Sequence, residues 1–314
     1  MTESAPKASA SKTRLGYIGL GNMGAPMAQR LLDWPGGLVV CDARAEALEP
    51  FTTAGASAAS TPADVAAQAS IISVTVLDDA QVREVVCGPH GILSTAQPGT
   101  VVAIHSTISD TTAVELADIC HQRGVLLVDA PISGGAGGAA QGRLAVMIGG
   151  SDEAFEAVRE PFGSWAELVV HAGDVGAGTR MKLARNLLHF VSFTATTEAA
   201  RLAEAAGLDL RTLGKVVRHT DAITGGAGAI MLRDTTAPVS DDDPWFSILR
   251  HVRNLGEKDL ALAIDLGDRL NLDLPLAHLA LAGLGAGLGV GNDSEDRPAE
   301  PSTASSASTT REHA

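Results

Sequence analysis

Arg14-Leu15-Gly16-Tyr17-Ile18-Gly19-Leu20-Gly21-Asn22-Met23-Gly24 joins an apolar run to a turn punctuated by Gly19, Gly21 and Gly24. Arg14 to Ile18 reads as a short buried strand, and Met23 to Leu32 as a helix with Met23, Met27, Ala28 and Leu31 on one face. Leu38 to Cys41 reads as a second strand ending at Asp42, about twenty residues past the middle glycine, which is the spacing of a dinucleotide fingerprint. Gly19 permits the tight turn, Gly21 lets backbone approach a phosphate, and Gly24 lets the helix pack on the strand, while the helix start favours an anion. On this reading Gly19, Leu20, Gly21, Asn22, Met23 and Gly24 hold a pyrophosphate and Asp42 meets a ribose. The alternative is a glycine-rich turn that binds nothing.

The 314 residues, 45% of them hydrophobic, suffice for a sizeable core and two domains. Asp and Glu number 37 against 23 Lys and Arg, a formal charge of -14, and no basic stripe is present to neutralise a phosphate backbone. Nucleic acid is therefore not an expected partner. No stretch reaches the length of a membrane span, and glycines and His278 break the apolar run Leu276 to Val290, so a buried helix is expected there. Cys41, Cys87 and Cys120 show no zinc or redox spacing. They fit a reducing, cytoplasmic setting with no metal centre. The ends, 1–13 and 291–314, are poor in large apolar residues and are expected to be disordered tails.

Between Arg14 and about Ala172, short β-branched runs alternate with amphipathic ones, the pattern of a doubly wound parallel sheet. Strands are expected at Ser70 to Val76, Thr100 to Ile104, Val125 to Asp129, Leu144 to Ile148 and Leu168 to His171. Helices are expected after Thr61-Pro62, at Ala80 to Val86, at Thr111 to His121 and from Ser151. Past Gly176 only helical patterns remain: Thr179 to Ala206, Asp209 to His219, Ser247 to Leu270 and Pro275 to Ala286. The fold class is thus α/β, a Rossmann domain over 14–175 followed by an all-helical domain over 176–290. Asp241-Asp242-Asp243-Pro244 interrupts the helices as a solvated loop, since adjacent carboxylates rarely converge on one ion.

Two further constellations carry chemistry. Asp129-Ala130-Pro131-Ile132-Ser133-Gly134-Gly135 leaves the carboxyl end of a strand, the edge where such sheets bind ligands. Ser133, Gly134 and Gly135 could receive a carboxylate through a hydroxyl and bare amides, or the segment could merely turn the chain. In Gly176-Ala177-Gly178-Thr179-Arg180-Met181-Lys182-Leu183-Ala184-Arg185-Asn186, Lys182 and Asn186 share one helical face. A helical lysine is usually a solvated charge. The flanking Met181, Leu183, Leu187 and Leu188 leave little polar face, which favours a cleft position where burial would lower its pKa toward proton-transfer use.

The ordered set Gly19–Gly24, Ser106-Thr107, Asp129–Gly135, Gly176–Asn186 and Lys258-Asp259 resembles the β-hydroxyacid dehydrogenase family, of the 3-hydroxyisobutyrate dehydrogenase type, over nearly the whole chain between the tails. The resemblance implies a dimer or tetramer that transfers hydride between NAD(P) and the β-carbon hydroxyl of a small hydroxy acid. It implies Lys182 as general acid/base with Asn186 as hydrogen-bonding companion, and Ser133, Gly134 and Gly135 on the substrate carboxylate. Thr107 would contact the nicotinamide end, Val76 and Leu77 would border the cofactor, and Lys258 would reach cofactor or substrate. Trp245 or Phe246 could close the apolar side of the pocket, or simply pack. Asp42 favours NAD by meeting ribose hydroxyls, whereas Arg44 could pair with the 2′-phosphate of NADP. His105 stands where the family usually has an acidic residue, and Arg185 where a small or amide residue is common; His105 reads as a hydrogen-bonded structural histidine or as a second catalytic base, and Arg185 could point to solvent. His189 could line the pocket or pack within the long helix. Imine reduction on the same fold, or dinucleotide binding without catalysis, are the competing readings. Retention of Lys182, together with Asn186 and Ser133, argues against both.

Overall fold

The computed structural model describes residues 13–230, 233 and 237–291. Apart from Thr13 and Gly291, the expected tails lie outside the described residues. Two compact units, Met1–Leu187 and Leu188–Ala314, divide the chain.

The first unit is a doubly wound sheet. Its elements run β1 (Leu15–Ile18), α1 (Gly24–Gln29), β2 (Leu38–Cys41), α2 (Glu49–Thr53), β3 (Ser57–Ala58), α3 (Pro62–Ala66), β4 (Ile71–Val74), α4 (Asp79–Cys87), β5 (Val101–Ile104) and α5 (Asp110–His121). They continue as β6 (Leu126–Asp129), β7 (Ile132–Ser133), α6 (Gly135–Ala140), β8 (Leu144–Gly149), α7 (Asp152–Phe162) and β9 (Ala166–Gly173). The order β3-β2-β1-β4-β5-β6 is parallel throughout, with the topological switch between β1 and β4. Beyond β6 the sheet mixes: β8 runs antiparallel to β6 and β7, and β9 parallel to β8.

The four-residue strands LGYI, LVVC, IISV and VVAI are buried end to end, as expected when helices cover both faces. Alternate residues serve opposite layers. Leu38 and Val40 pack with Met27, Leu31, Phe162 and Trp165, whereas Val39 and Cys41 pack with Val65, Val82, Val86 and Leu116. Local signals fix the helix starts: Thr61 and Asp64 form a capping box with Pro62 at the first position, and Asp78 and Ser151 cap α4 and α7.

The expected strands and helices are present with ends moved by a few residues, while α2, β3 and the elements around Asp129–Gly135 are additions to the sequence reading. That segment holds the short strand β7, paired with β8 through Ile132↔Val146 and Ser133↔Ala145, and the start of α6. Only two residues pair, too few to show alternation, and the α6 sequence GAGGAA has no apolar stripe.

The long helix α8 (Ala177–Ala205) begins in the first unit and ends in the second, which adds α9 (Leu210–Thr224), α10 (Phe246–Arg269) and α11 (Pro275–Leu288). Buried charges hold both ends of α11. The Glu198 carboxylate accepts from Leu276 N at 3.1 Å and Ala277 N at 2.8 Å, and Arg253 donates to Val290 O at 3.2 Å and Gly291 O at 3.1 Å. An anion at the helix start and a cation at its end both oppose the helix macrodipole. Among the described residues no helix is long and apolar enough to cross a membrane.

Candidate active site

The turn after β1 opens into a cleft of about 760 Å³ lined by Gly19, Gly21, Asn22, Met23, Gly24, Asp42, Arg44, Val76 and Leu77, among others. Gly19 has φ +93°, and a Cβ there would lie 2.1 Å from Thr75 O, so the turn presses directly on the chain leaving β4. At Gly21 a Cβ would meet nothing within 4 Å. Bare backbone facing open space at the switch point of a parallel sheet fits the pyrophosphate of a dinucleotide. Leu20 lies in the same turn. Its side chain is buried in the core, and its amide donates to Asp42 Oδ2 at 2.6 Å.

Asp42 is therefore both a ribose candidate and the anchor of the glycine turn. Its Oδ1 accepts from Arg44 N at 2.9 Å and Arg44 Nε at 3.1 Å, and Arg44 Nη2 reaches Leu20 O at 3.2 Å. Burial acts to raise the Asp42 carboxyl. The amides of Arg44 and Leu20, then the guanidinium, outweigh it and hold the group below the usual carboxylate range.

Ser106 ties the loops after β4 and β5 together: its hydroxyl donates to Val76 O at 2.7 Å and accepts from Val76 N at 3.0 Å. Leu77, 79% exposed, donates its amide to Gln81 Oε1 at 3.0 Å, and Thr107 is exposed one residue beyond Ser106. Behind them His105 is buried, with Nδ1 2.8 Å from Ala130 O and Nε2 3.0 Å from Ser73 Oγ. A carbonyl only accepts, so Nδ1 carries the proton and Nε2 accepts from Ser73. This makes His105 a structural bridge between β4 and the segment after β6.

Burial lowers the His105 pKa to about 4, against a partly compensating bond to Ala130. The unfolded chain, with a histidine near 6.5, then binds one proton more than the fold between the two values. This stability is complete above about pH 6.5 and is lost as pH falls toward 4, by about 3 kcal/mol. Thermal melts from pH 4 to 7 should show a steeper loss in the native chain than in His105→Gln; equal slopes would refute the assignment.

From β6 the chain passes through Asp129 to Ser133, Gly134 and Gly135, and Lys182 on α8 lies against it. Lys182 is 8% exposed and donates from Nζ to Ile132 O at 2.6 Å, next to Ser133. Burial, and then the Arg185 charge, lower its pKa from the usual lysine range. Asn186 is half-buried and accepts from Arg185 Nη1 at 3.2 Å, so Lys182 is held by the Ile132 carbonyl rather than by Asn186.

Trp245, Phe246 and Lys258 belong to the second unit. Asp243 Oδ1 accepts from Trp245 N at 2.8 Å, closing a tight turn in the acidic loop just before α10. Phe246 packs beside Val239 and Leu249 and lies 5.7 Å from the Arg250 guanidinium, while Lys258 is exposed and paired with Asp259 at 3.0 Å. His189 lies tilted against Phe193 within α8, ring centroids 4.3 Å apart.

Residues 14–173 match the NAD-binding domain of 6-phosphogluconate dehydrogenase, and 176–299 match the NAD-binding family of NADP-dependent 3-hydroxyisobutyrate dehydrogenase. An uncharacterized oxidoreductase of Mycobacterium tuberculosis is 63% identical over 277 residues, 88% of this chain and 94% of the relative. The mitochondrial 3-hydroxyisobutyrate dehydrogenase of Bos taurus is 37% identical over 230 residues, 73% of this chain and 67% of that protein.

The chain belongs to the 3-hydroxyisobutyrate dehydrogenase-like family.

A solved member, the 3-hydroxyisobutyrate dehydrogenase of Mycobacterium tuberculosis with L-serine, is 30% identical with a TM-score of 0.62, covering 90% of this chain and 97% of its own. An imine reductase from Myxococcus stipitatus, at 21% identity and a TM-score of 0.71, shares the fold. As a member of the family the chain is an oxidoreductase that uses a nicotinamide dinucleotide. Within it, Ser106 and Asp129 emerge as residues whose contacts the sequence did not disclose. Both stood within the motifs of the resemblance, Ser106 beside Thr107 and Asp129 at the end of a strand, with no role of their own.

Proposed function

We propose that the protein is an NAD(P)-dependent dehydrogenase or reductase of a small 3-hydroxy acid, of the 3-hydroxyisobutyrate kind, or its semialdehyde. The observation that carries this reading is the buried Lys182 amine beside Ser133, an acid/base at the edge where a parallel sheet binds ligands. When bound, the nicotinamide supplies or accepts the hydride. In oxidation, neutral Lys182 takes the alcohol proton at Nζ; in reduction, its ammonium returns it. Ser133, Gly134 and Gly135 hold the carboxylate, Asn186 orients the hydroxyl, and Thr107 borders the reacting end of the cofactor. Gly19–Gly24, Asp42, Val76 and Leu77 hold the remainder of the dinucleotide in the domain 14–175. In the helical domain 176–290, Lys258 would reach cofactor or substrate, and Trp245 or Phe246 would close the apolar side of the pocket. The alcohol reading is preferred to C=N reduction because Lys182 is retained.

The protein acts as a cytoplasmic homodimer or homotetramer. Phe190 and Phe193 on α8 are more than half exposed in a single chain, an apolar face suited to a second copy. Light scattering reads the assembly. Assay of NADH and NADPH formation against a panel of 3-hydroxy acids tests the activity, and cofactor binding without turnover across the panel would reject it in favour of a binding protein.

NAD is the preferred cofactor, because the Asp42 carboxylate can accept from both ribose hydroxyls and repels a 2′-phosphate. Arg44→Ala should weaken NADPH binding at least about fivefold while changing NADH binding less than twofold, since the guanidinium is the group able to meet a 2′-phosphate. Fluorescence titration of both reduced cofactors decides it, and equal losses would assign Arg44 to the turn alone.

A further inference from the structure

Asp129 ends β6 with its carboxylate 1% exposed, and both of its oxygens point at the start of α8. Oδ1 accepts from Gly176 N and Oδ2 from Thr179 N, each at 2.6 Å. First-turn amides of a helix have no partner within the helix. Here a side chain from a distant strand supplies one, and its negative charge faces the positive end of the helix.

The packing around this contact leaves no slack. A Cβ on Gly178 would lie 2.3 Å from Met147 O and 2.6 Å from Asp129 O, and one on Gly149 would lie 2.3 Å from Asp129 Oδ1. Backbone of α8 therefore rests directly on backbone of β6 and β8. Three residues beyond Asp129, Ile132 O takes the Lys182 amine, and Lys182 stands three residues beyond Thr179. Asp129 with Thr179, and Ile132 with Lys182, are successive rungs between the same two segments. The first rung is a charged, two-point contact and the second a single bond to a flexible side chain.

We propose that Asp129 is a positioning residue for Lys182: its carboxylate fixes the register of α8 against the 129–135 segment and so holds the Lys182 amine at the Ile132 carbonyl. This rests on Lys182 being the acid/base. Holding the amine beside Ser133 keeps it desolvated and within reach of a substrate bound there. A misplacement of about 1 Å can cost about 10²-fold in rate. Burial outweighs the two amide bonds and leaves the Asp129 carboxyl above its ordinary range, while acceptance of an amide N–H at each oxygen is the pattern of an ionised carboxylate. Asparagine keeps the shape but turns an NH₂ group toward one of those amides.

The test uses the full chain carrying Asp129→Asn and, as a smaller side chain with one acceptor, Asp129→Ser. The first readout needs no substrate: acetylation of Lys182 by acetic anhydride against pH, followed by peptide mass spectrometry. In both variants its midpoint should move up, toward an ordinary lysine, as the amine leaves its buried place. NADH affinity by fluorescence should stay within about twofold, because the glycine turn is untouched. With the best substrate of the panel, kcat should fall about 10²-fold and KM change less than about threefold. An unmoved Lys182 midpoint, or an unchanged kcat, overturns the proposal. Absence of turnover in the wild-type chain would instead count against the dehydrogenase reading, and the acetylation curve would still decide the positioning. If neither variant folds, amide exchange in the wild-type chain decides. Gly176 and Thr179 amides as protected as the middle turns of α8 support the lock, and exchange at the rate of a free helix end refutes it.

Discussion

Lys182→Ala should lower kcat by about 10²–10⁴-fold, the span of a lost general acid/base, while NADH binding changes less than about twofold. The asymmetry follows from where the side chain lies. Nζ is engaged by the Ile132 carbonyl beside Ser133 and takes no part in the lining of the cleft at Gly19–Gly24. Alanine also removes a buried polar group together with its hydrogen bond, leaving Ile132 O without that donor. A modest loss of stability is therefore expected beside the loss of rate. The pH dependence gives a second measurement. With the Lys182 pKa lowered by burial and by Arg185, kcat/KM for oxidation should rise with pH and level off below the usual lysine range. The reductive direction should show the mirror-image fall. In Lys182→Ala both limbs should vanish, leaving a flat residual rate. Retention of wild-type kcat would remove Lys182 from the chemistry, whatever the cofactor affinity.

The two halves of the site differ in how far sequence alone discloses them. The turn at Gly19–Gly24 is legible because its determinants are local: a strand, three glycines and a helix in one short stretch, with Asp42 at a spacing set by the strand–helix–strand unit. The environment of Lys182 is long-range. Helical periodicity puts Lys182 and Asn186 on one face, but nothing near them reveals that Ile132, fifty residues earlier, supplies the bond. The same separation hides Asp129, which pairs with amides carrying no sequence signature. His105 was legible in part. Its position after the buried run Val101–Ile104 indicates a histidine held inside, whereas the Ser73 and Ala130 partners come from elements distant in the chain. Asp42 shows a local reading that was incomplete, because its spacing points to a ribose and says nothing of its bond to Leu20 N.

That bond sharpens the second large effect, expected at Gly21. Gly21→Val should fold like the wild-type chain, with a melting temperature within about 2 °C, yet bind NADH at least about 30-fold more weakly. The physical basis is that a Cβ at Gly21 meets no protein atom within 4 Å, so the added volume projects into the cleft rather than into the fold. Gly24→Ala makes the contrast. Its Cβ would fall 1.9 Å from Gly19 O and 3.2 Å from the buried Tyr17 ring, so the backbone of the turn or the start of α1 must move. A destabilisation of several kcal/mol, about 3 or more, should accompany its loss of binding. Since Leu20 N–H is pinned by Asp42, strain at Gly24 also loads the Asp42–Arg44 contact, and the Gly24 variant should lose any discrimination between NADH and NADPH that the wild type shows. The Gly21 variant should keep it, because the anchor stays in place and only the space for phosphate is reduced. Differential scanning calorimetry with paired fluorescence titrations separates the two cases. If Gly21→Val melts as low as Gly24→Ala, the open face at Gly21 is part of the fold's packing and the phosphate belongs elsewhere. If it melts normally and binds NADH normally, the glycine turn is not the dinucleotide site.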